Sequence, residues 1–214
     1  MKSILVIGMG KFGRHLSKLL LELGNEVMII DSDEDKVNQY SYLFQDAKVG
    51  DCTNELVLKS LGVENFDMCI VAISDNFESS LIITELLKEL GAKYIVSKAN
   101  QDIQAELLTK IGANEVIYPE RDIAERLAVK YSTKNVFDYI ELTEKYAIYE
   151  LPVTKKWVGR TIGELNIRKK YGVNIIGVKI DEELTVSPNA DYVFPEDCHI
   201  IVVASQECIE KLKR

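Results

Sequence analysis

The feature that most constrains this chain is its opening run, Ser3-Ile4-Leu5-Val6-Ile7-Gly8-Met9-Gly10-Lys11-Phe12-Gly13. It sets G-x-G-x-x-G directly after an apolar strand-like segment and at the head of a helix-period segment, as in the first βα unit of a dinucleotide-binding sheet. Gly8 allows a tight turn, Gly10 removes a side chain where backbone must approach a pyrophosphate, and Gly13 lets the helix pack closely on the sheet. Met9, Lys11 and Phe12 fill the loop, with Lys11 in reach of a terminal phosphate. The helix N-terminus offers unpaired N–H groups and the positive end of a dipole. The second strand, Glu26–Asp31, ends in a carboxylate 18 residues after Gly13, where it can hydrogen-bond a ribose diol. Asp31 favours a free 2′-hydroxyl, and Ser32 brings no positive charge to reverse that, so NAD or ATP is favoured over NADP.

The same βα rhythm continues. Strands are expected at Ser3–Ile7, Glu26–Asp31, Ala47–Gly50, Met68–Ser74, Tyr94–Lys98 and Glu115–Tyr118. Helices are expected at Lys11–Leu23 (Phe12, Leu16, Leu19, Leu20 and Leu23 on one face), after Asp33 as N-cap, after Thr53 as N-cap, and at Phe77–Leu90 and Asp102–Ile111. Six strands alternating with helices predict an α/β Rossmann-type, doubly wound parallel sheet over residues 1–120. Residues 121–138 read as a helix, Asp122–Tyr131, with a linker and a short apolar stretch around Val136–Ile140. From 139 to 214 the rhythm changes to a small α+β domain with mostly antiparallel strands, including Ala147–Val153, Val173–Ile180, Leu184–Val186 and Cys198–Ala204. Thr161-Ile162-Gly163-Glu164 has capping-box spacing and starts a short helix, and Gln206–Lys213 is the last one. At 214 residues the chain suits two such domains.

Charge narrows the function classes. The net charge of -8 argues against binding nucleic acid through phosphate neutralisation and against adhesion to anionic lipid. Residues 1–138 hold 15 Lys+Arg against 22 Asp+Glu, a net of -7, which leaves 11 against 12, or -1, for residues 139–214. The four cysteines show no C-x-x-C pair and read as small hydrophobes. MKSILVIGMGKFG reaches its glycines too soon for the apolar core of a signal peptide. No apolar run approaches the ~20 residues of a membrane span, so a soluble cytoplasmic chain is expected.

Further candidates lie where the strands end. Asp51, in Gly50-Asp51-Cys52-Thr53 after the third strand, either approaches an adenine edge or supports the Thr53 cap. Ile73 and Ser74 end the fourth strand and lead into Asp75 and Asn76, at the edge where ligands of such sheets bind; ligand contact and a plain turn are both open. Lys98 ends the fifth strand. Tyr94-x-x-x-Lys98 copies a dehydrogenase spacing, but that chemistry needs both residues on one helix face and these lie on a strand. His15 sits in the first helix, past the phosphate loop, and His199 in the small domain. No residue set performs hydride transfer, so the nucleotide reads as a signal rather than a reagent. A small NAD-dependent oxidoreductase is the alternative. A redox-sensing transcription factor is disfavoured by the acidic charge.

The ordered set of Gly8-Met9-Gly10-Lys11-Phe12-Gly13 with Asp31, Val49-Gly50-Asp51-Cys52-Thr53, Lys110–Glu120 and Leu165–Val178 resembles the cytosolic regulatory subunits of Trk/Ktr-type potassium uptake systems, built from RCK domains. The resemblance spans essentially the whole chain. It implies a ring of subunits, usually an octamer built from dimers, beneath a membrane potassium-translocating subunit at the inner face of the plasma membrane. ATP and ADP, or NADH and NAD, would set the shape of the ring and hence the gate. It further implies that the residue at Lys11 meets a terminal phosphate. Most ATP-binding members carry Arg there, and Lys lacks its bidentate fork. Glu120 would lie near the phosphates of a paired subunit and help hold Mg or Ca, or else cap the helix after Pro119. The C-terminal lobe resembles those that bind cyclic di-AMP between two subunits, in a groove lined by Ile167, Arg168, Asn174, Ile175 and Pro188; otherwise the isoleucines are dimer core and Arg168 a surface charge.

Overall fold

The computed structural model describes residues 1–132 and 138–212. The chain separates into two compact units, Met1–Arg121 and Asp122–Arg214. The first contains β1 (Ser3–Ile7), α1 (Lys11–Glu22), β2 (Glu26–Asp31), α2 (Glu34–Tyr40), β3 (Asp46–Val49), α3 (Glu55–Leu61), β4 (Met68–Val71), α4 (Phe77–Glu89), β5 (Ile95–Lys98), α5 (Asp102–Ile111) and β6 (Glu115–Ile117). Helix α6 (Pro119–Ser132) carries the chain into the second unit.

The six strands form one sheet in the order β3-β2-β1-β4-β5-β6, with every pair parallel. Side chains of alternate residues face opposite sides. Ile4, Val6, Ile29 and Ile70 point to one layer, where Phe12, Leu16 and Leu20 of α1 cover them. Leu5, Ile7, Ile30, Cys69 and Val71 point to the other and pack against Leu58 of α3 and Ile83 and Leu87 of α4. Both faces are therefore apolar, as a parallel sheet between helical layers requires. Chain order reverses direction between β1 and β4, which opens a crevice above their carboxyl ends.

Two local expectations are corrected here. Leu19 and Leu23 are 56% and 79% exposed rather than part of the buried face of α1. At 100° per residue that face centres on Gly13 and Ser17, both buried, and apolar periodicity alone overlooks such small residues. The N-cap of α3 is Asn54, whose side chain accepts the Leu56 amide at 3.0 Å, and not Thr53. The Thr53 hydroxyl instead donates to Asp51 Oδ1 at 2.7 Å. Asp33 does cap α2, accepting the Lys36 amide at 3.2 Å.

The second unit contains β7 (Asp138–Glu141), β8 (Tyr146–Pro152), α7 (Ile162–Leu165), α8 (Ile167–Tyr171), β9 (Asn174–Ile180), β10 (Glu183–Val186), β11 (His199–Ser205) and α9 (Gln206–Leu212). The apolar stretch expected to begin at Val136 lies partly outside the described residues. The five strands form an antiparallel sheet in the order β10-β9-β11-β8-β7. The capping box is present: Thr161 Oγ1 accepts the Glu164 amide at 3.1 Å, and Glu164 Oε2 accepts the Thr161 amide at 3.3 Å. The core gathers Trp157, Phe194, Val173, Val202 and Ile209, with the Trp157 and Phe194 ring centroids 5.9 Å apart. Among the described residues, no helix is long and apolar enough to cross a membrane.

Candidate functional site

The crevice at the carboxyl edge of the parallel sheet is a cleft of about 610 Å³. The turn after β1 forms its floor. Gly8 holds φ +100°, a conformation side-chain-bearing residues rarely adopt, and a Cβ there would stand 3.0 Å from Ile73 Cγ1. A Cβ on Gly13 would meet the Gly8 carbonyl oxygen at 1.9 Å, so only glycine lets α1 start this close to β1. Gly10 is different. It caps α1 with φ -65° and no side-chain hydrogen bond, and a Cβ there would project into open space. The first turn of α1 also lacks an acidic residue, so its N–H groups and dipole face the cleft unneutralised.

Asp31, at the end of β2, anchors this loop. Its Oδ2 accepts the Met9 amide at 2.6 Å and its Oδ1 the Asp33 amide at 2.9 Å. Met9 itself is buried and, like Gly13, supports the cleft without lining it. Ser32 and Lys36 stand beside Asp31 at the rim. Sequence reasoning missed Lys36, although its place one turn after the Asp33 cap was a usable signal. It brings a positive charge near Asp31, partnered by Asp33 at 3.4 Å.

From β3 come Asp51, Cys52 and Thr53. The Thr53 hydroxyl, and then its amide, hold the Asp51 carboxyl below its ordinary range by donating to it. Burial first, then the nearby Asp51 and Asp31 charges, push the Cys52 thiol up to about 12. From β4 come Ile73, Ser74, Asp75 and Asn76. Strand pairing stops at Val71, short of the expected Ser74, because β1 also ends there and the chain turns away along the cleft. Asn76 caps α4, accepting the Ser79 amide at 3.1 Å.

Lys98 arrives from β5 almost wholly buried. Its Nζ lies 2.8 Å from Ser74 Oγ, 2.7 Å from Glu120 Oε1 and 5.8 Å from the centroid of the Phe12 ring. The Lys98 ammonium, by donating to Glu120, holds that carboxyl below its usual range. Asn100 fixes the neighbouring turn by donating from Nδ2 to the Ser74 carbonyl at 2.7 Å. Tyr94 lies outside the cleft, its hydroxyl donating to Glu115 at 3.2 Å.

The cleft is therefore polarised. Lys11, Lys98 and the amides of α1 gather at the glycine loop, whereas Asp31 and Asp51 stand over β2 and β3. One end favours an anion and the other favours hydroxyls or an amine, which matches a phosphate–ribose–base sequence. Among the described residues, no three His, Cys, Asp or Glu side chains cluster as metal ligands.

The residues expected for a second ligand lie in the second unit and are only partly available. Arg168 and Asn174 are exposed, and Ile175 and Pro188 half-buried. Ile167, at 2% exposure, packs in the core of the unit with Leu165 and Val173. His15 is exposed, and in the second unit His199 Nδ1 lies 2.7 Å from Glu150 Oε1.

The family model described as the TrkA-N domain matches residues 4–119, and that of the TrkA-C domain matches residues 146–214. The chain is 43% identical over 213 residues to Ktr system potassium uptake protein C of Bacillus subtilis (strain 168), covering 100% of this chain and 96% of that protein. It is 39% identical to Ktr system potassium uptake protein A of the same organism, covering 94% and 91%. Among solved structures, the GsuK channel superposes with a TM-score of 0.72 at 24% identity; it covers 99% of this chain, which spans 39% of the channel chain. A structure titled "GsuK channel bound to NAD" superposes with a TM-score of 0.67 at 23% identity, covering 99% of this chain and 39% of that one. Those two likenesses concern the fold. On the family matches and the full-length relatives, the chain belongs to the TrkA-N/TrkA-C family that includes the Ktr system potassium uptake proteins.

Proposed function

We propose that the chain is a nucleotide-sensing regulatory subunit of a potassium uptake system, acting on a membrane potassium-translocating partner from the cytoplasmic side. The polarised cleft carries this reading: an uncapped helix end and two lysines at one pole, the carboxylates of Asp31 and Asp51 at the other. Full-length relatives named as Ktr potassium uptake proteins support it. The ligand class is an adenine nucleotide, ATP and ADP or NAD and NADH. A divalent cation would draw mainly on the nucleotide's own phosphate oxygens, with Glu120 as the protein's contribution. Cyclic di-AMP at Arg168, Asn174, Ile175 and Pro188 is a second, separate proposal. Assembly into a ring, an octamer of paired subunits, would multiply the effect of each site.

The mechanism is a difference in binding free energy. A nucleotide shifts the assembly only as far as it binds one conformation better than the other, and ~1–3 kcal/mol per site is the usual scale. No observation favours the oxidoreductase alternative: neither histidine lines the cleft, and Tyr94 is turned to Glu115. Calorimetric titration with ATP, ADP, NAD and NADH, alongside NADH consumption and a sizing column, tests the proposal. Saturable binding without turnover, in a large assembly, is the expected result. Absence of binding by all four ligands overturns it.

A further inference from the structure

The second unit has a pocket of its own, a cavity of about 320 Å³ where β8 ends. Pro152 closes that strand, since it has no N–H to carry the ladder on. Val153 makes one more bond, to the Cys198 carbonyl at 2.9 Å, and the chain turns at Thr154, whose carbonyl accepts the Trp157 amide at 2.9 Å. Trp157 is thereby folded back onto Phe194 and Tyr171, its ring centroid 5.9 and 6.2 Å from theirs. Leu151, Pro152, Val153, Trp157, Ile200 and Leu212 make the apolar lining, and Thr154 and Lys155 are its polar members. The pocket shares no residue with the cleft of the first unit, nor with the set Arg168, Asn174, Ile175 and Pro188.

Size and charge together select an occupant. The volume stands at the small end of the ~300–1,000 Å³ typical of ligand sites, which suits one small molecule rather than a peptide segment. The mostly apolar lining favours an apolar body. The lining contains no carboxylate, and Lys155 is exposed with no ion-pair partner among the described residues. A cationic head group would meet that ammonium unopposed. An anionic one would be met by the ammonium and by the Thr154 hydroxyl, in charge-assisted hydrogen bonds. We infer that the pocket binds a small monocarboxylate, its apolar body against Trp157 and Ile200 and its carboxylate at Thr154 and Lys155. This second small-molecule site stands apart from the nucleotide reading of the cleft and does not depend on it. The one tryptophan of the chain lines the pocket, so the indole reports its own ligand.

The test titrates octanoate, octanol and octylammonium, each below its micellar range, into the full-length protein while tryptophan emission is recorded, with calorimetry as the second readout. Octanoate should shift the emission saturably. Octanol, which keeps the tail and loses the charge, should bind about two- to fivefold more weakly, the range of an exposed ion pair, and octylammonium more weakly still. Lys155→Met, at an exposed side chain, should bring octanoate down to the level of octanol and leave octanol unchanged. Val153→Phe should fill the cavity and abolish binding of octanoate and octanol, with circular dichroism showing the fold retained. The assignment is wrong if the emission ignores octanoate, if the three probes bind alike, or if Lys155→Met leaves the ratio of octanoate to octanol affinity unmoved. Should Val153→Phe fail to fold, that ratio decides alone.

Discussion

The Asp31 carboxylate accepts the amide of Met9, inside the glycine loop, at 2.6 Å. One side chain at the end of β2 thereby fixes the loop made by the end of β1 while remaining on the cleft wall, where a ribose would lie. Replacing Asp31 by Ala should remove both the sugar contact and the anchor. ATP and NAD should each bind ~1–3 kcal/mol more weakly, the scale of a lost charged hydrogen bond. Equal loss for the two ligands is the signature, since both carry the adenosine ribose; isothermal titration reads it, and unchanged affinity would remove Asp31 from the site.

Gly10 and Gly13 should separate binding from stability. Gly10→Ala places a methyl group in open space at ordinary φ, so the melting temperature should hold or rise slightly while nucleotide affinity drops. Gly13→Ala drives a Cβ against the Gly8 carbonyl and should destabilise the first unit by about 3 kcal/mol or more. Thermal melts and titrations on the two variants check this. A Gly10→Ala protein that binds normally would mean no phosphate approaches that backbone.

These outcomes bear on what could be read in advance. The glycine loop was legible because its backbone geometry admits almost no other residues, and the sheet because its central strands β1 and β4 are apolar on both faces. The residues named at the strand ends gather in one cleft for the same topological reason. What stayed hidden depends on neighbours distant in sequence. Lys98 meets Glu120 across 22 residues, and no local pattern announces that pair. The orientation of α1 turns on Ser17, which carries no periodic signal. Ile167 packs in one core cluster with Leu165 and Val173, a burial that its place in the sequence between Asn166 and Arg168 does not announce.

Trp157 is the single tryptophan of the chain and lies in the core of the second unit. Its fluorescence should report the unfolding of that unit. Phe194, fully buried beside it, should cost about 3–5 kcal/mol when truncated to Ala, seen as an earlier fluorescence midpoint in urea. A midpoint shift below about 1 kcal/mol would contradict the packing described.

Acid should loosen the start of β1. Asp67 accepts the Ser3 amide at 2.9 Å, and this bond, ahead of the neighbouring Lys93 and Lys2 charges, holds its carboxyl below the ordinary 3.8. A depressed carboxyl stabilises the fold fully above its unfolded-state value and loses that contribution as pH falls through the folded-state value. Melting temperatures recorded from pH 6 to pH 3 should therefore fall more for wild type than for Asp67→Asn. Parallel curves would refute the assignment.

Cys52 should be inert. With its thiol pushed up to about 12 by burial and by Asp51 and Asp31, almost no thiolate exists near neutrality. Alkylation at pH 8 followed by peptide mapping should leave it unmodified until the protein unfolds. Labelling as fast as a free thiol would show the first unit to be open at β3.

The strand order has a consequence for how the chain is made. β1 is flanked by β2 and β4, but β4 begins only at Met68. On a ribosome adding about 5–20 residues per second, the central strand waits several seconds with one hydrogen-bonding edge bare. Ile4, Leu5, Val6 and Ile7 then form an adhesive ribbon that can pair with any passing nascent chain. Slow synthesis through residues 8–68 should therefore favour aggregation, and a holdase that shields this tetrapeptide should raise the soluble yield.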